Sequence, residues 1–192
     1  MILPIRAYGD PVLRKKGEDI SPEYPNLKEL IENMFETMHQ AHGIGLAAPQ
    51  IGLGIRLFVV DVTPFVEDED YEDIKGELQD FKKVFINAKI IEREGEELKF
   101  NEGCLSIPAI HEDVARPETI TIEYFDENFV KHIDTFSDIR ARVIQHEYDH
   151  IEGILFTDKL SSLKKKLLKG KLNKISNGEI EVNYKMRYPK AK

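Results

Sequence analysis

Apolar residues fall at Leu27, Leu30, Ile31, Met34, Phe35 and Met38, the three-and-four spacing that lines up one face of a helix. Asn26 is placed to cap that helix, Glu29 suits a capping box, and the periodicity continues to Gln40. After it the period shortens. Runs rich in β-branched and aromatic residues predict strands at 55–62, 84–91, 97–100, 119–125 and 131–135. Ser137 is a candidate cap for a further helix running through His150 and ending near Gly153. Between Lys159 and Lys174 seven lysines accompany Leu160, Leu163, Leu167, Leu168 and Leu172, which predicts an amphipathic helix with a basic outer face. Residues 179–186 alternate well enough for a last strand. The expectation is an α+β fold in a single domain, 1–192. Small, mostly antiparallel β-sheets enclose the central helix ending at His150, with an N-terminal helix and a C-terminal basic helix beside them.

That central helix carries the chemistry. In Gln145-His146-Glu147-Tyr148-Asp149-His150 the two histidines stand four residues apart, so a helix presents both imidazoles on one face with Glu147 beside them. Two such imidazoles can share one divalent ion, and the carboxylate can take a proton from the water that the ion activates. A third ligand is needed. An extended metalloprotease helix would place a third histidine where Phe156 stands, and no glutamate lies between Gly153 and Gly178 to serve instead, Asp158 being the sole acid there. Upstream, the single cysteine, Cys104, lies in Asn101-Glu102-Gly103-Cys104-Leu105-Ser106. Cysteine with two histidines would leave one coordination position open.

A third segment, Gly43-Ile44-Gly45-Leu46-Ala47-Ala48-Pro49-Gln50, combines small residues that allow close backbone approach with an amide side chain able to donate a hydrogen bond. Taken alone it reads as a helix C-cap at Gly43 running into a tight turn. Together and in this order, the GIGLAAPQ loop, the EGCLS segment and the HEYDH helix resemble the peptide deformylase family, without a gap, over residues 43–150.

The resemblance implies a hydrolase that removes the formyl group from the N-terminal formyl-methionine of new polypeptides. It implies Cys104, His146 and His150 as metal ligands, Glu147 as general base, and Gln50 with the Leu105 backbone N–H as oxyanion donors. Ferrous iron is the metal it implies, with zinc or nickel able to occupy the same ligands; ligand softness alone does not choose among them. An apolar pocket for the substrate side chain is expected from Ile44, Phe100, Ile139 and Val143, beside Gly45, with Glu102 and Arg142 as polar groups in the pocket or behind it. The family often carries an arginine seven residues after the cysteine, where this chain has His111; His111, like His39, His42 and His132, is expected at the surface.

Composition narrows the setting. A chain of 192 residues with 41% hydrophobic content suits one globular domain, and a single cysteine excludes an internal disulfide. No apolar run reaches membrane-spanning length, and the N-terminus lacks the basic-then-apolar pattern of a signal peptide, so a cytoplasmic enzyme is expected, of a size compatible with a monomer. Between Glu67 and Asp80 eight acids face one lysine, Lys75, which predicts a solvated, mobile insertion. Against a net charge of −8 the lysines of 159–174 form a local positive patch, and contact with ribosomal RNA near emerging nascent chains is an expectation attached to it. Two other function classes share the motif: a metallopeptidase, which lacks its usual third ligand here, and a non-catalytic metal-binding protein, which has no need of Glu147 or Gln50.

Overall fold

The computed structural model describes residues 1–189. In chain order the elements are β1 (Ile5–Arg6), α1 (Leu27–Gln40), β2 (Gly45–Ala47), β3 (Leu57–Asp61), α2 (Lys75–Leu78), β4 (Lys82–Cys104), β5 (Ile107–Phe125), β6 (Lys131–Phe136), α3 (Asp138–Ile151), α4 (Ser162–Asn177) and β7 (Met186–Arg187). Strands β2 to β6 form one antiparallel sheet in sequential order. A separate pair joins β1 to β7 in parallel.

Strand β3 is buried on both sides, which explains its unbroken apolar run. Phe58 and Val60 face a core shared with α3, while Leu57 and Val59 face a second core under α1. In the first, Phe58 stacks on Phe85 at 4.7 Å between ring centroids, and Phe85 lies 4.4 Å from Tyr124. A third core, from Leu13, Ile107, Val114, Phe156, Leu168 and Leu172, binds α4 to the far end of β5. The sheet therefore holds α3 from one side, and the Gly45–Ala47 strand lies against that helix.

The structure corrects several expectations. The runs at 84–91 and 97–100 belong to one strand, β4, which forms a long hairpin with β5; residues 91–101 are exposed, so both faces tolerate charge and the pattern there is blurred. Asn26 adopts a left-handed conformation, φ 53°, and caps through its carbonyl, which accepts the Leu30 N–H at 2.9 Å, with no side-chain cap. Ser137 makes no side-chain cap either; the Asp138 carboxylate accepts the Arg140 N–H at 2.9 Å instead. At the end of α1 the left-handed residue is His42, and Gly43 N–H closes the turn on Met38 C=O at 2.9 Å.

The acidic stretch is folded into short helical turns, with Phe65, Val66, Tyr71 and Ile74 packed on the core around buried Leu78. Of 179–186, Met186 alone falls in a strand, β7, which begins there. Leu168 and Leu172 of α4 face the core, whereas Leu163 and Leu167 are 68% and 72% exposed among the lysines.

Candidate active site

Helix α3 presents His146 and His150 toward the end of β4, where Cys104 begins the turn into β5. The donor atoms of Cys104, His146 and His150 all lie within 4.8 Å of one another. Cys104 Sγ is 3.3 Å from His150 Nε2. His146 Nδ1 is 3.0 Å from Glu102 Oε2, which leaves its Nε2 free to face the same point. One cysteine sulfur and two imidazole nitrogens converging this closely, with a carboxylate orienting the back of one ring, fit a divalent transition metal. The third donor of a group that could hold a metal, Cys104, lies upstream of the two histidines.

Glu147 turns the other way along the helix, toward β2. Its Oε2 is buried without a hydrogen-bond partner among the described residues. A Cβ at Gly45 would lie 2.7 Å from Glu147 Cγ, so the glycine is what lets the strand approach the carboxylate. Burial pushes the Glu147 carboxyl up to about 7, against the pull of His146 and Arg116 toward ionisation. Burial would lower His146, but its contacts with Cys104 and Glu102 hold it up at about 10; His150 is pushed well below the usual imidazole value by burial and by the charge of His146.

Gln50 is buried in the turn after β2. Its Oε1 accepts the Ala47 N–H at 2.8 Å, which fixes the amide so that Nε2 points at the cluster, 3.6 Å from Cys104 Sγ and 3.3 Å from Ser106 Oγ. A cavity of about 600 Å³ opens above these groups. Its wall includes Ile44, Gly45, Phe100, Glu102, Leu105, Ile139, Arg142 and Val143, so every pocket residue anticipated from the sequence lines it. His42 and His111 line it as well, although both were expected simply at the surface; the His111 ring lies over Gly103.

Behind these residues lies a charge network that includes Glu102 and Arg142, which the sequence pointed to, and Arg116 and Asp149, which it did not. Arg116, 2% exposed, donates from Nε and Nη2 to the two oxygens of Glu102 at 2.6 and 2.9 Å, and from Nη1 to Asp149 Oδ2 at 2.7 Å. Glu102 also receives Arg142 Nη1 at 3.1 Å, and Asp149 pairs with Lys159 at 3.2 Å. Burial raises the Glu102 pKa, but the bonds from His146 and Arg116 prevail and hold it far below the usual carboxylate range. A signal was available: Arg116 stands in phase with the inward positions Val114, Ile120, Ile122 and Tyr124 of β5. Arg142 is committed likewise, donating to Val114 C=O at 3.0 Å and Leu98 C=O at 2.6 Å, so it fixes the hairpin as well as lining the cavity.

Residues 2–166 match the family model described as polypeptide deformylase. The chain belongs to the polypeptide deformylase family. The peptide deformylase of Christiangramia forsetii is 63% identical over 100% of this chain and 98% of that protein; the Flavobacterium johnsoniae peptide deformylase is 61% identical over the same shares. Among solved structures, a peptide deformylase from Legionella pneumophila superposes with TM-score 0.78 at 36% identity, covering 93% of this chain and 98% of that one. A Plasmodium falciparum peptide deformylase gives 0.77 at 37% identity, covering 89% and 94%. The deformylase fold, mixed helices with an antiparallel sheet, is thus shared, and the chain is a peptide deformylase by family, a metal-dependent hydrolase of nascent formylated peptides. Among the described residues no helix is long and apolar enough to cross a membrane.

Proposed function

We propose that this chain hydrolyses the N-formyl group of the N-terminal formyl-methionine of newly made polypeptides and releases formate, with Cys104, His146 and His150 holding one divalent ion. The observation that carries the residue roles is the convergence, at one cavity floor, of three donor atoms, an unpartnered buried carboxylate and an amide aimed by its own hydrogen bond. An ion held by Cys104, His146 and His150 would supply Lewis acidity toward the formyl carbonyl and toward water. Glu147 accepts the proton of the attacking water and returns it to the amine as the C–N bond breaks, so water and formamide become formate and a free N-terminus. Gln50 Nε2 and the Leu105 N–H donate to the oxygen on which negative charge develops; loss of one such donor typically costs about 10²–10³ in kcat.

The chain's own walls set selectivity. Ile44, Phe100, Ile139 and Val143 offer apolar surface for the methionine side chain, beside Gly45. A formyl carbon bears only hydrogen, so a floor crowded by Glu147 and Gln50 admits it and rejects larger acyl groups by steric clash. Ferrous iron is the ion this reading assigns in the cell, with zinc or nickel able to take the same donors. The enzyme works in the cytoplasm as a monomer, one catalytic domain over 1–192. The basic face of α4, where Lys165, Lys166, Lys169, Lys171 and Lys174 are exposed, is assigned to ribosome contact; binding that survives charge reversal of Lys164, Lys165 and Lys166 removes that assignment.

The test is formate release from a short formyl-methionyl peptide, under exclusion of oxygen with ferrous iron, for wild type and Glu147→Gln. Turnover by the wild type and its loss in a variant that still binds metal supports both reaction and base. A folded, iron-loaded wild type without turnover overturns the proposal, and cleavage of an internal peptide bond would move the chain to the peptidases.

A further inference from the structure

Tyr184 lies outside residues 2–166, the stretch that matches the family model, yet it lines the catalytic cavity. Its hydroxyl donates to Leu105 C=O at 2.9 Å. Leu105 is the residue whose N–H is assigned to the oxyanion, and the next carbonyl along, Ser106 C=O, accepts the Tyr8 N–H at 2.8 Å. The two carbonyls of the turn after Cys104 are therefore each held by a hydrogen bond, one from each end of the described chain. Those ends are tied together: Ile5 N–H donates to Lys185 C=O at 2.9 Å, Ala7 N–H to Arg187 C=O at 3.0 Å, and Ser176 Oγ to Tyr8 C=O at 2.8 Å. The Leu105 side chain in turn presses on the opposite wall, where a Cβ at Gly43 would lie 2.8 Å from Leu105 Cδ1.

We propose that Tyr184 is a positioning residue for the deformylation reaction, its hydroxyl fixing the Leu105 peptide so that the Leu105 N–H is held toward the developing oxyanion. The inference rests on the reading of the site given above. Its physical basis is preorganisation: a donor that must reorient during the reaction stabilises the transition state less than one already aimed. The phenol is partly buried, so no bulk water competes freely for the Leu105 carbonyl, and the ring packs with Leu105 on the core under α1.

Tyr184→Phe keeps the ring and removes only the hydroxyl. The variant is expected to lower kcat on a formyl-methionyl peptide about threefold to tenfold, the range of one net hydrogen bond, with KM unchanged, because the lost interaction acts in the transition state. A role confined to anchoring the tail would leave kcat unmoved. A second readout needs no turnover: in metal-free protein, amide exchange of the 103–108 segment should speed up by a similar factor in Tyr184→Phe, while α3 keeps its protection. Wild-type kcat in the variant overturns the proposal, whatever the exchange shows, and leaves the deformylase reading intact. Absence of turnover in the wild type overturns that reading instead, and the exchange experiment still decides whether Tyr184 orders the turn.

Discussion

Replacing Arg116 with methionine removes a guanidinium that is 2% exposed and serves two carboxylates at once. Truncating one partner of a buried ion pair costs about 3–5 kcal/mol, because the remaining charge stays buried without compensation. Two features place this case at the low end. Glu102 keeps Arg142 at 3.1 Å and His146 at 3.0 Å, and Asp149 keeps Lys159 at 3.2 Å. A loss of about 3 kcal/mol is expected, a fall in Tm of about 6–12 °C at about 2–4 °C per kcal/mol for a chain of this size. The assay is urea unfolding of metal-free protein followed by circular dichroism, since any loss of metal affinity would otherwise add to the shift. In the metal-loaded protein the same variant should bind its ion about 10–100-fold more weakly, because Glu102 loses the bonds that hold it against His146. Arg116→Lys, which keeps the charge and loses the two-pronged contact, should fall between. A loss below about 1 kcal/mol, the range of exposed ion pairs, would refute the view that this network is a buried support for the ligands.

Gly45→Ala should lower kcat/KM at least about tenfold, measured by formate release, and should destabilise by about 1–3 kcal/mol, because the new methyl group meets the Glu147 side chain and one of them must shift. Gln50→Ala should reduce kcat about 10²–10³-fold while metal content, measured by atomic absorption, stays at wild-type stoichiometry. Stripping the ion with a chelator should lower Tm, and ion restored at about 100 times its Kd should recover about 2.7 kcal/mol; calorimetry with and without the ion checks it. The last concerns acid. Burial pushes the Glu152 carboxyl up, but ion pairs with Arg56 at 2.6 Å and Lys16 at 3.1 Å outweigh it and hold the pKa below the ordinary carboxylate value. Its contribution is therefore present above the unfolded pKa of about 4.3 and is lost as pH falls through the lower folded value. Glu152→Gln should melt below wild type at neutral pH, and the gap should close under acid; a gap that persists to pH ~3 would contradict this.

The parts of this site legible from sequence are those set by local geometry. His146, Glu147 and His150 need only a helix to share their corner, and Cys104 could be sought as the missing donor because the downstream alternatives were absent. The long hairpin was hidden because residues 91–101 are wet on both faces, which erases the alternation that marks a strand. Ser137 and Asn26 had the right side chains for caps, and the backbone used Asp138 and a left-handed turn instead. Arg116 carried a faint signal in its phase along β5. Tyr184 carried none: its partner Leu105 is 79 residues away in sequence, and only the folded chain brings them together.

The pairing of β1 with β7 also fixes an order in time. Strand β7 follows every other described element, and β1 precedes every other. During synthesis the N-terminal parts can begin to fold first, but the parallel pair and the Tyr184 tie to Leu105 must wait until the tail has been translated and has travelled back. Contacts of such long sequence separation form late. The turn after Cys104 thus gains its Tyr184 hydrogen bond only once residue 184 has been made, after the strands and the helix that carry Cys104, His146 and His150.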